Sequence, residues 1–317
     1  MAIDYLRLSL TDRCNLNCVY CTPLEKSRFL PREEILTHEE TARAAGAFVK
    51  AGVRKIRLTG GEPLIKKDIV KLTAMLKAIP GLEELALTTN GVCLADMADK
   101  LKAAGLDRVN ISVDTLKKEK FKAITGYDMF DPVWRGIEKS LEAGFFAIKL
   151  NVILMRGIND GEIADFARLS IEHPLTVRFI EFFPTNKRSA RMTGALIRTE
   201  EVKKQIETVF GALSETASAR SGGPARCYAL KNARGTLGFI SGRSDNFCGV
   251  CNRVRMDCSG KVYPCLFAGA THDLRPLLRG SADDAALVEY AKSLFLVKSK
   301  YSKASASGHI EMSSIGG

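Results

Sequence analysis

Aromatic side chains are scarce in this sequence, at 7% of residues with a single tryptophan, which leaves few platforms for stacked bases and argues against a nucleic-acid-binding protein. No uninterrupted apolar run reaches transmembrane length, and the richest stretch, 143–154, is broken by Lys149. The opening Met1-Ala2-Ile3-Asp4-Tyr5 lacks the basic-then-apolar order of a signal peptide. These absences predict a cytoplasmic chain with no membrane segment. Histidine is also sparse, with four in 317 residues. That matters because two groups of cysteines each stop one ligand short of a closed metal site.

Cys14, Cys18 and Cys21 form a C-x3-C-x2-C array, and Cys248, Cys251 and Cys265 form C-x2-C-x13-C. Nine cysteines clustered this way in a chain without a secretory signal fit metal ligation better than a disulfide framework. Three thiolates can hold three corners of a [4Fe–4S] cube and leave one iron open for chemistry. The competing reading is structural zinc, with His38 as a fourth ligand for the first array and Cys258 or His272 for the second. Cys93, Cys227 and Cys258 otherwise read as buried thiols.

The formal charge of +11 attracts anions, with nucleotide, nucleic acid and membrane surface as candidates. Apolar content of 46% and charged content of 26% are those of an ordinary globular protein. Short β-rich runs at 5–10, 55–58, 84–88, 108–113, 147–153 and 176–182 alternate with segments of helical period near 38–51, 68–77, 94–103, 132–143 and 162–171. Gly52, Gly105 and Gly144 close three of those helices. This pattern predicts repeated βα units around a parallel sheet.

Polar residues gather where such strands end, the usual place for functional groups in parallel α/β folds. The first array follows strand one, Thr59-Gly60-Gly61-Glu62-Pro63 follows strand two, and Thr89-Asn90-Gly91 follows strand three. Ser112 and Asp114 lie at strand four, Lys149 and Asn151 on strand five, and Arg178 and Glu181 on strand six. From about Lys187 the rhythm changes to turn-rich sequence with short strands near 226–230 and 237–240, so residues 1–183 and 184–317 are expected to be a barrel domain and an appended module. Ser214–Pro224 reads as a mobile loop, and the tail 302–317 as a fraying end.

The C-x3-C-x2-C array with Tyr20 between its last two cysteines, followed by Gly-Gly-Glu-Pro after the next strand, resembles the radical S-adenosylmethionine (SAM) superfamily. Within it, Leu6 to Leu16, Ile56 to Leu64, Thr88-Thr89-Asn90-Gly91, Asn159-Asp160, Arg178 to Phe182, the distal C-x2-C-x-R-x-R-x9-C and the terminal Gly316-Gly317 resemble the GTP 3′,8-cyclase family over nearly the whole chain. The fold this implies is α/β, a partial (β/α)6 TIM-like barrel of the radical SAM type with a C-terminal α+β module closing its mouth. The chemistry it implies is reductive cleavage of SAM to a 5′-deoxyadenosyl radical, hydrogen removal from C3′ of GTP, and attack of C3′ on C8 of guanine. The product is (8S)-3′,8-cyclo-7,8-dihydroguanosine 5′-triphosphate, the first intermediate of molybdenum cofactor biosynthesis.

The resemblance further implies two [4Fe–4S] clusters, on Cys14, Cys18 and Cys21 and on Cys248, Cys251 and Cys265. It places SAM against Tyr20, Gly61, Ser112 and Phe183, and GTP against Arg7, Arg57, Thr88, Lys149, Arg253, Val254 and Arg255. Arg253, Arg255 and the Gly316-Gly317 tail are implied in the reaction itself. At Phe183 the family commonly carries Met, and Thr22-Pro23 stands where Met-Pro is usual. Implied partners are an electron donor such as flavodoxin or ferredoxin and the downstream cyclic pyranopterin monophosphate synthase, with the chain a monomer or homodimer. The rival readings are a radical SAM enzyme that modifies peptide or RNA, and a zinc-dependent nucleic-acid-binding protein.

Overall fold

The computed structural model describes residues 3–22, 29–146, 148–184, 186–216, 225–242, 251–266, 268–298 and 315. Cys248, Gly316 and Gly317 therefore lie outside the described residues. The first half alternates β1 (Tyr5–Ser9), α1 (His38–Lys50), β2 (Lys55–Thr59), α2 (Ile69–Lys77), β3 (Glu84–Thr89), α3 (Ala98–Ala103) and β4 (Arg108–Ser112). It continues with α4 (Lys118–Thr125), α5 (Phe130–Glu142), β5 (Lys149–Leu154), α6 (Ile163–Glu172) and β6 (Thr176–Glu181). Then come α7 (Lys187–Ala190), α8 (Thr199–Phe210), β7 (Ser214–Glu215), β8 (Arg226–Ala229), β9 (Thr236–Ile240) and β10 (Arg253–Met256). The last elements are β11 (Lys261–Tyr263), β12 (His272–Asp273), α9 (Arg275–Arg279) and α10 (Asp284–Lys298).

Local chemistry accounts for the helix limits. Thr37 and Glu40 form a reciprocal capping box at the start of α1, at 3.1 Å and 2.8 Å. Gly105 and Gly144, at φ +90° and +71°, turn the chain after α3 and α5 in a conformation other residues resist. One difference from the sequence reading is the expected helix over 94–103, which is regular only from Ala98. Another is Ser214–Glu215, expected in a mobile loop but paired antiparallel with Ala229 and Tyr228. Both residues are exposed, so no apolar alternation betrays an edge strand held by main-chain hydrogen bonds.

All twelve strands among the described residues join one sheet in the order β12-β11-β10-β1-β2-β3-β4-β5-β6-β9-β8-β7. β1 to β6 are mutually parallel, as the alternating pattern requires. The C-terminal half extends this sheet from both edges, with β10 parallel to β1 and β9 parallel to β6. The ends, β12 and β7, are not paired with each other, so backbone hydrogen bonds leave the barrel open among the described residues.

Alternate residues divide the sheet into two faces. Leu6, Leu8, Ile56, Leu58, Leu85, Leu87, Leu150, Val152, Val177, Leu237 and Val254 are fully or almost fully buried against helix residues such as Phe48, Leu72, Leu76 and Phe166. Burial of one such large side chain contributes about 1.5–3 kcal/mol, which fixes the register of every strand. The residues between them, pointing the opposite way, are predominantly polar. No helix among the described residues is long and apolar enough to cross a membrane.

Candidate active site

The loop carrying Cys14, Cys18 and Cys21 leaves β1 and is held by the loop after β2. The Gly61 amide donates to Thr11 O at 2.7 Å and the Glu62 amide to Arg13 O at 2.8 Å. A β-carbon on Gly61 would lie 2.0 Å from Arg13 O, so only glycine permits this approach. Glu62 is buried, and its carboxylate accepts from Leu64 N at 2.9 Å, Thr89 Oγ1 at 2.7 Å and Asn90 N at 2.7 Å. Burial, partly offset by those hydrogen bonds, pushes it up to about 7. It thus locks the ends of β2 and β3 together. Asn90 in turn donates to Asn15 Oδ1 at 2.7 Å and to Cys14 Sγ at 3.8 Å, and the Leu16 amide reaches the same sulfur at 3.5 Å. Truncating Glu62 to Ala is expected to cost about 2–4 kcal/mol in a denaturant titration, because buried donors on Thr89, Asn90 and Leu64 lose their acceptor.

Tyr20 ties the same loop to the far side of the barrel. Its hydroxyl donates to Asp114 Oδ2 at 2.6 Å, and Asp114 Oδ1 accepts from Ile153 N at 2.8 Å. Asn159 braces this junction by donating to Asp114 O at 2.7 Å and Ile153 O at 2.8 Å. Tyr20, Ser112, Asp114, Asn90 and Cys18 line a common pocket. Two of the four residues expected at SAM therefore share one cavity with a cysteine of the first array.

Charges around that array disfavour bare thiolates. Burial, then Cys14 and Asp114, push Cys21 up to about 12, while burial and Cys21 raise Cys18 well above its ordinary value. A donor set of three sulfurs beside a carboxylate fits a group that brings its own positive charge, as the irons of a cluster do. Among the described residues no three His, Cys, Asp or Glu side chains are disposed to hold a single metal ion.

Cys251 of the second array sits in the opposite setting. Burial alone would raise the Cys251 thiol, but Arg253 and Lys298 more than offset it and bring it below its ordinary value. The proposed zinc-closing groups are otherwise engaged. His272 has Ser293 Oγ at 3.2 Å from Nε2 and Thr271 Oγ1 at 3.0 Å from Nδ1. Cys258 is buried, and burial with Asp257 pushes it up to about 12. A thiolate-favouring, cation-rich surround suits a cluster here too.

Between the two arrays the inner face of the sheet is lined with cations. Register places Arg255, Arg7 and Arg57 directly beside one another on β10, β1 and β2. Arg253 and Tyr5 stand one pleat earlier on the same face. Arg57 donates to Tyr5 Oη and, at 3.5 Å, to Thr88 Oγ1. Across the barrel, Lys149 pairs with Asn110 and Thr176, and Asn151 pairs with Ser112 and Arg178.

Burial, then Arg178 and Arg57, depress Lys149 to about 7, and burial with Arg57 brings Arg178 to about 10. Arg255 is likewise lowered to about 10 by burial and Arg253. Buried Nε atoms of Arg7 and Arg178 and the Oδ1 atoms of Asn110 and Asn151 have no partner among the described residues. The two unsatisfied guanidinium donors among crowded cations mark an anion receptor, because a polyphosphate supplies both acceptors and countercharge, while the two amide oxygens are left to accept from a hydroxyl or N–H of a ligand.

A profile described as the Radical SAM superfamily matches residues 8–170, and one described as Molybdenum Cofactor Synthesis C matches residues 175–304. The GTP 3′,8-cyclase of Heliobacterium modesticaldum is 47% identical over 283 residues, covering 89% of this chain and 86% of that one. The GTP 3′,8-cyclase of Desulforamulus reducens is 46% identical over 280 residues, covering 88% and 86%. The chain belongs to the GTP 3′,8-cyclase family. Among solved structures, Streptococcus suis SuiB bound to S-adenosylmethionine matches with a TM-score of 0.60 over 92% of this chain and 68% of that one, at 14% identity, a likeness of fold alone. As a GTP 3′,8-cyclase the protein is a radical SAM lyase of molybdenum cofactor biosynthesis, using SAM and an iron–sulfur cluster.

The remaining expected residues of the cyclase are distributed unevenly. Val254 is fully buried on the apolar face, opposite Arg253 and Arg255, so only its backbone can meet a ligand on the inner face. Phe183 follows β6 and is half-buried. Ile315 is buried with its carbonyl 3.4 Å from Arg255 Nη1, next to the undescribed Gly316-Gly317. Arg178, Asn151, Glu62, Asp114 and Asn90 stand at the strand ends where the sequence placed functional groups but carry no ligand assignment from it, and Asn110 was not singled out. For the strand residues the signal was polar alternation in a parallel sheet, whose strands are normally apolar on both faces.

Proposed function

We propose that the cationic inner face binds the triphosphate of GTP, that the Tyr20–Ser112 pocket beside the first array binds SAM, and that the second array holds a second [4Fe–4S] cluster facing the guanine. The observation that carries this reading is the row Arg255, Arg7 and Arg57 in register on three adjacent strands, with a buried guanidinium nitrogen of Arg7 that has no acceptor among the described residues. When bound, the cluster and SAM supply reductive C–S cleavage and a carbon radical able to take hydrogen from C3′.

The chain's own residues fix the geometry. Arg7, Arg57, Lys149, Arg253 and Arg255 neutralise about four negative charges on the triphosphate with charge-assisted hydrogen bonds, and Arg178 adds a further donor. Holding both ends of the nucleotide keeps C3′ against C8, an orientation that unaided binding to either end would not impose. Thr88 steadies the Arg57 head at 3.5 Å. Residues 1–183 would then supply the radical and 184–317 would seat the base, with Gly316 and Gly317 entering beside Arg255. We further assign a low-potential donor of the flavodoxin or ferredoxin type, cytoplasmic placement and product transfer to cyclic pyranopterin monophosphate synthase. The direct test is incubation of reduced, reconstituted protein with GTP and SAM. A nucleotide with a new C3′–C8 bond by mass and NMR is expected, and 5′-deoxyadenosine without any cyclised nucleotide would refute the GTP assignment.

Lys149 gives this reading a pH signature. In the ligand-free protein its ammonium, held near 7, is largely deprotonated above that value, and a bound triphosphate draws the proton back. Calorimetry at pH 8 in buffers of different ionisation enthalpy should show uptake approaching one proton per GTP, lost in Lys149→Met. Stability of the ligand-free protein has the opposite sense. The unfolded state binds more protons between about 7 and the ordinary lysine value of about 10.4, so this residue's contribution rises with pH across that window.

A further inference from the structure

Lys298 ends α10 in a position that calls for an apolar side chain. The buried residues of that helix are Leu287, Ala291, Leu294 and Lys298, spaced four, three and four apart, so the lysine occupies the last step of the core-facing stripe. It is 6% exposed. An ammonium taken out of water at such a place is costly unless an anion compensates it. Among the described residues no carboxylate is paired with it. Its Nζ donates instead to Pro264 O at 2.5 Å and to Cys251 Sγ at 3.6 Å. One neutral carbonyl satisfies one of three donors and none of the charge, which leaves the thiolate as the compensating group.

The two contacts also span the second array. Cys251 is itself one of its sulfurs, and Pro264 immediately precedes Cys265 in the chain. A single side chain from the last described helix therefore bridges the two segments that bring Cys251 and Cys265 together, and it carries the charge a sulfur-bound cluster lacks.

We propose that Lys298 is a positioning residue for the second cluster, joining its two cysteine-bearing segments and setting its reduction potential above the value the thiolates alone would give. Hydrogen bonds to ligating sulfurs and nearby positive charge both favour the reduced, more negative cluster. The first array has no such cation among its described contacts: Cys14 takes neutral donors from Asn90 and Leu16, and Asp114 lies near Cys18 and Cys21. The two clusters are thereby made electrostatically unlike, one near a carboxylate and one under an ammonium. This inference rests on the proposed second cluster and deepens it.

The test is a potentiometric titration followed by EPR on the anaerobically reconstituted full chain, comparing wild type with Lys298→Gln and Lys298→Arg. Gln keeps a donor for Pro264 O without the charge, and Arg keeps the charge. The signal that changes on adding SAM belongs to the first cluster and serves as the internal reference. The expected result is a lower midpoint for the second signal in the Gln variant, or loss of that signal with its iron, while the first signal is unchanged and Arg recovers the second. An unshifted second midpoint in a fully loaded Gln variant would overturn the role of Lys298 and leave the second cluster standing. Wild-type protein with iron for one cluster only would overturn the second-cluster reading itself, and a Gln variant with both signals lowered alike would show a general structural effect and overturn the proposal.

Discussion

Exchanging Cys18 for Ala is expected to abolish 5′-deoxyadenosine formation, a loss of all measurable radical chemistry with no partial retention. Two sulfurs cannot replace three at a cube that must also keep one iron open, and no spare donor stands ready among the described residues of this loop. Cys93, the nearest extra thiol in the network, is engaged by Asn15 at 3.8 Å, and Asp114 already accepts from Tyr20 and Ile153. Iron content should fall to roughly half of the eight atoms that two [4Fe–4S] clusters supply, with the remaining half at the second array. Iron analysis and chromatography of the SAM cleavage products read both outcomes. Retained 5′-deoxyadenosine would remove Cys18 from the radical centre.

The second large effect is expected at the arginine row. Replacing Arg7 and Arg255 together by Met should lower kcat/KM for GTP by about 10²–10⁴-fold, from roughly 1.5–3 kcal/mol for each hydrogen bond to a charged group. Both side chains are displaced below their ordinary pKa chiefly by burial, Arg7 then by Arg255 and Arg57 and Arg255 then by Arg253, so the cationic row is self-repelling without a ligand. Their removal should consequently leave the ligand-free fold as stable as before, or more so, which a denaturant titration can check. Substrate binding then suffers for lack of countercharge while the framework does not. SAM cleavage without GTP should persist, since Tyr20 and Asp114 are held by their own hydrogen bonds and contact neither arginine. A double variant that still cyclises GTP at the wild-type rate would remove the triphosphate assignment.

Much of the inner face was legible before any coordinates. A parallel strand covered on both sides reads as a continuous apolar run, whereas Leu6-Arg7-Leu8, Ile56-Arg57-Leu58 and Val254-Arg255-Met256 alternate, so an aqueous or ligand-filled interior was written into the period. The cysteine spacings carried the first centre just as directly. Lys298 was not legible, because a lysine at the end of an amphipathic helix reads as a dipole-favourable surface charge. Glu62 and Asp114 could be seen as polar residues at strand ends. Which partners would take up their lone pairs depends on loops far apart in sequence, as with Tyr20 and Asp114, separated by 94 positions.

The appended half shows where local pattern runs out. Two of its short strands, near 226–230 and 237–240, could be recognised, yet their partners could not, since backbone hydrogen bonding carries no sequence label beyond the facing side chains. The amino-acid order alone determined the βα repeat, the two thiolate arrays and the cations destined for one face, because periodicity and ligand spacing act over a few residues. Only the folded chain decided that β10 lies against β1 and β9 against β6. The first pairing brings Arg255 beside Arg7 across about 250 positions of chain, and the approach of the Lys298 ammonium to Cys251 likewise spans 47, distances over which local periodicity carries no information.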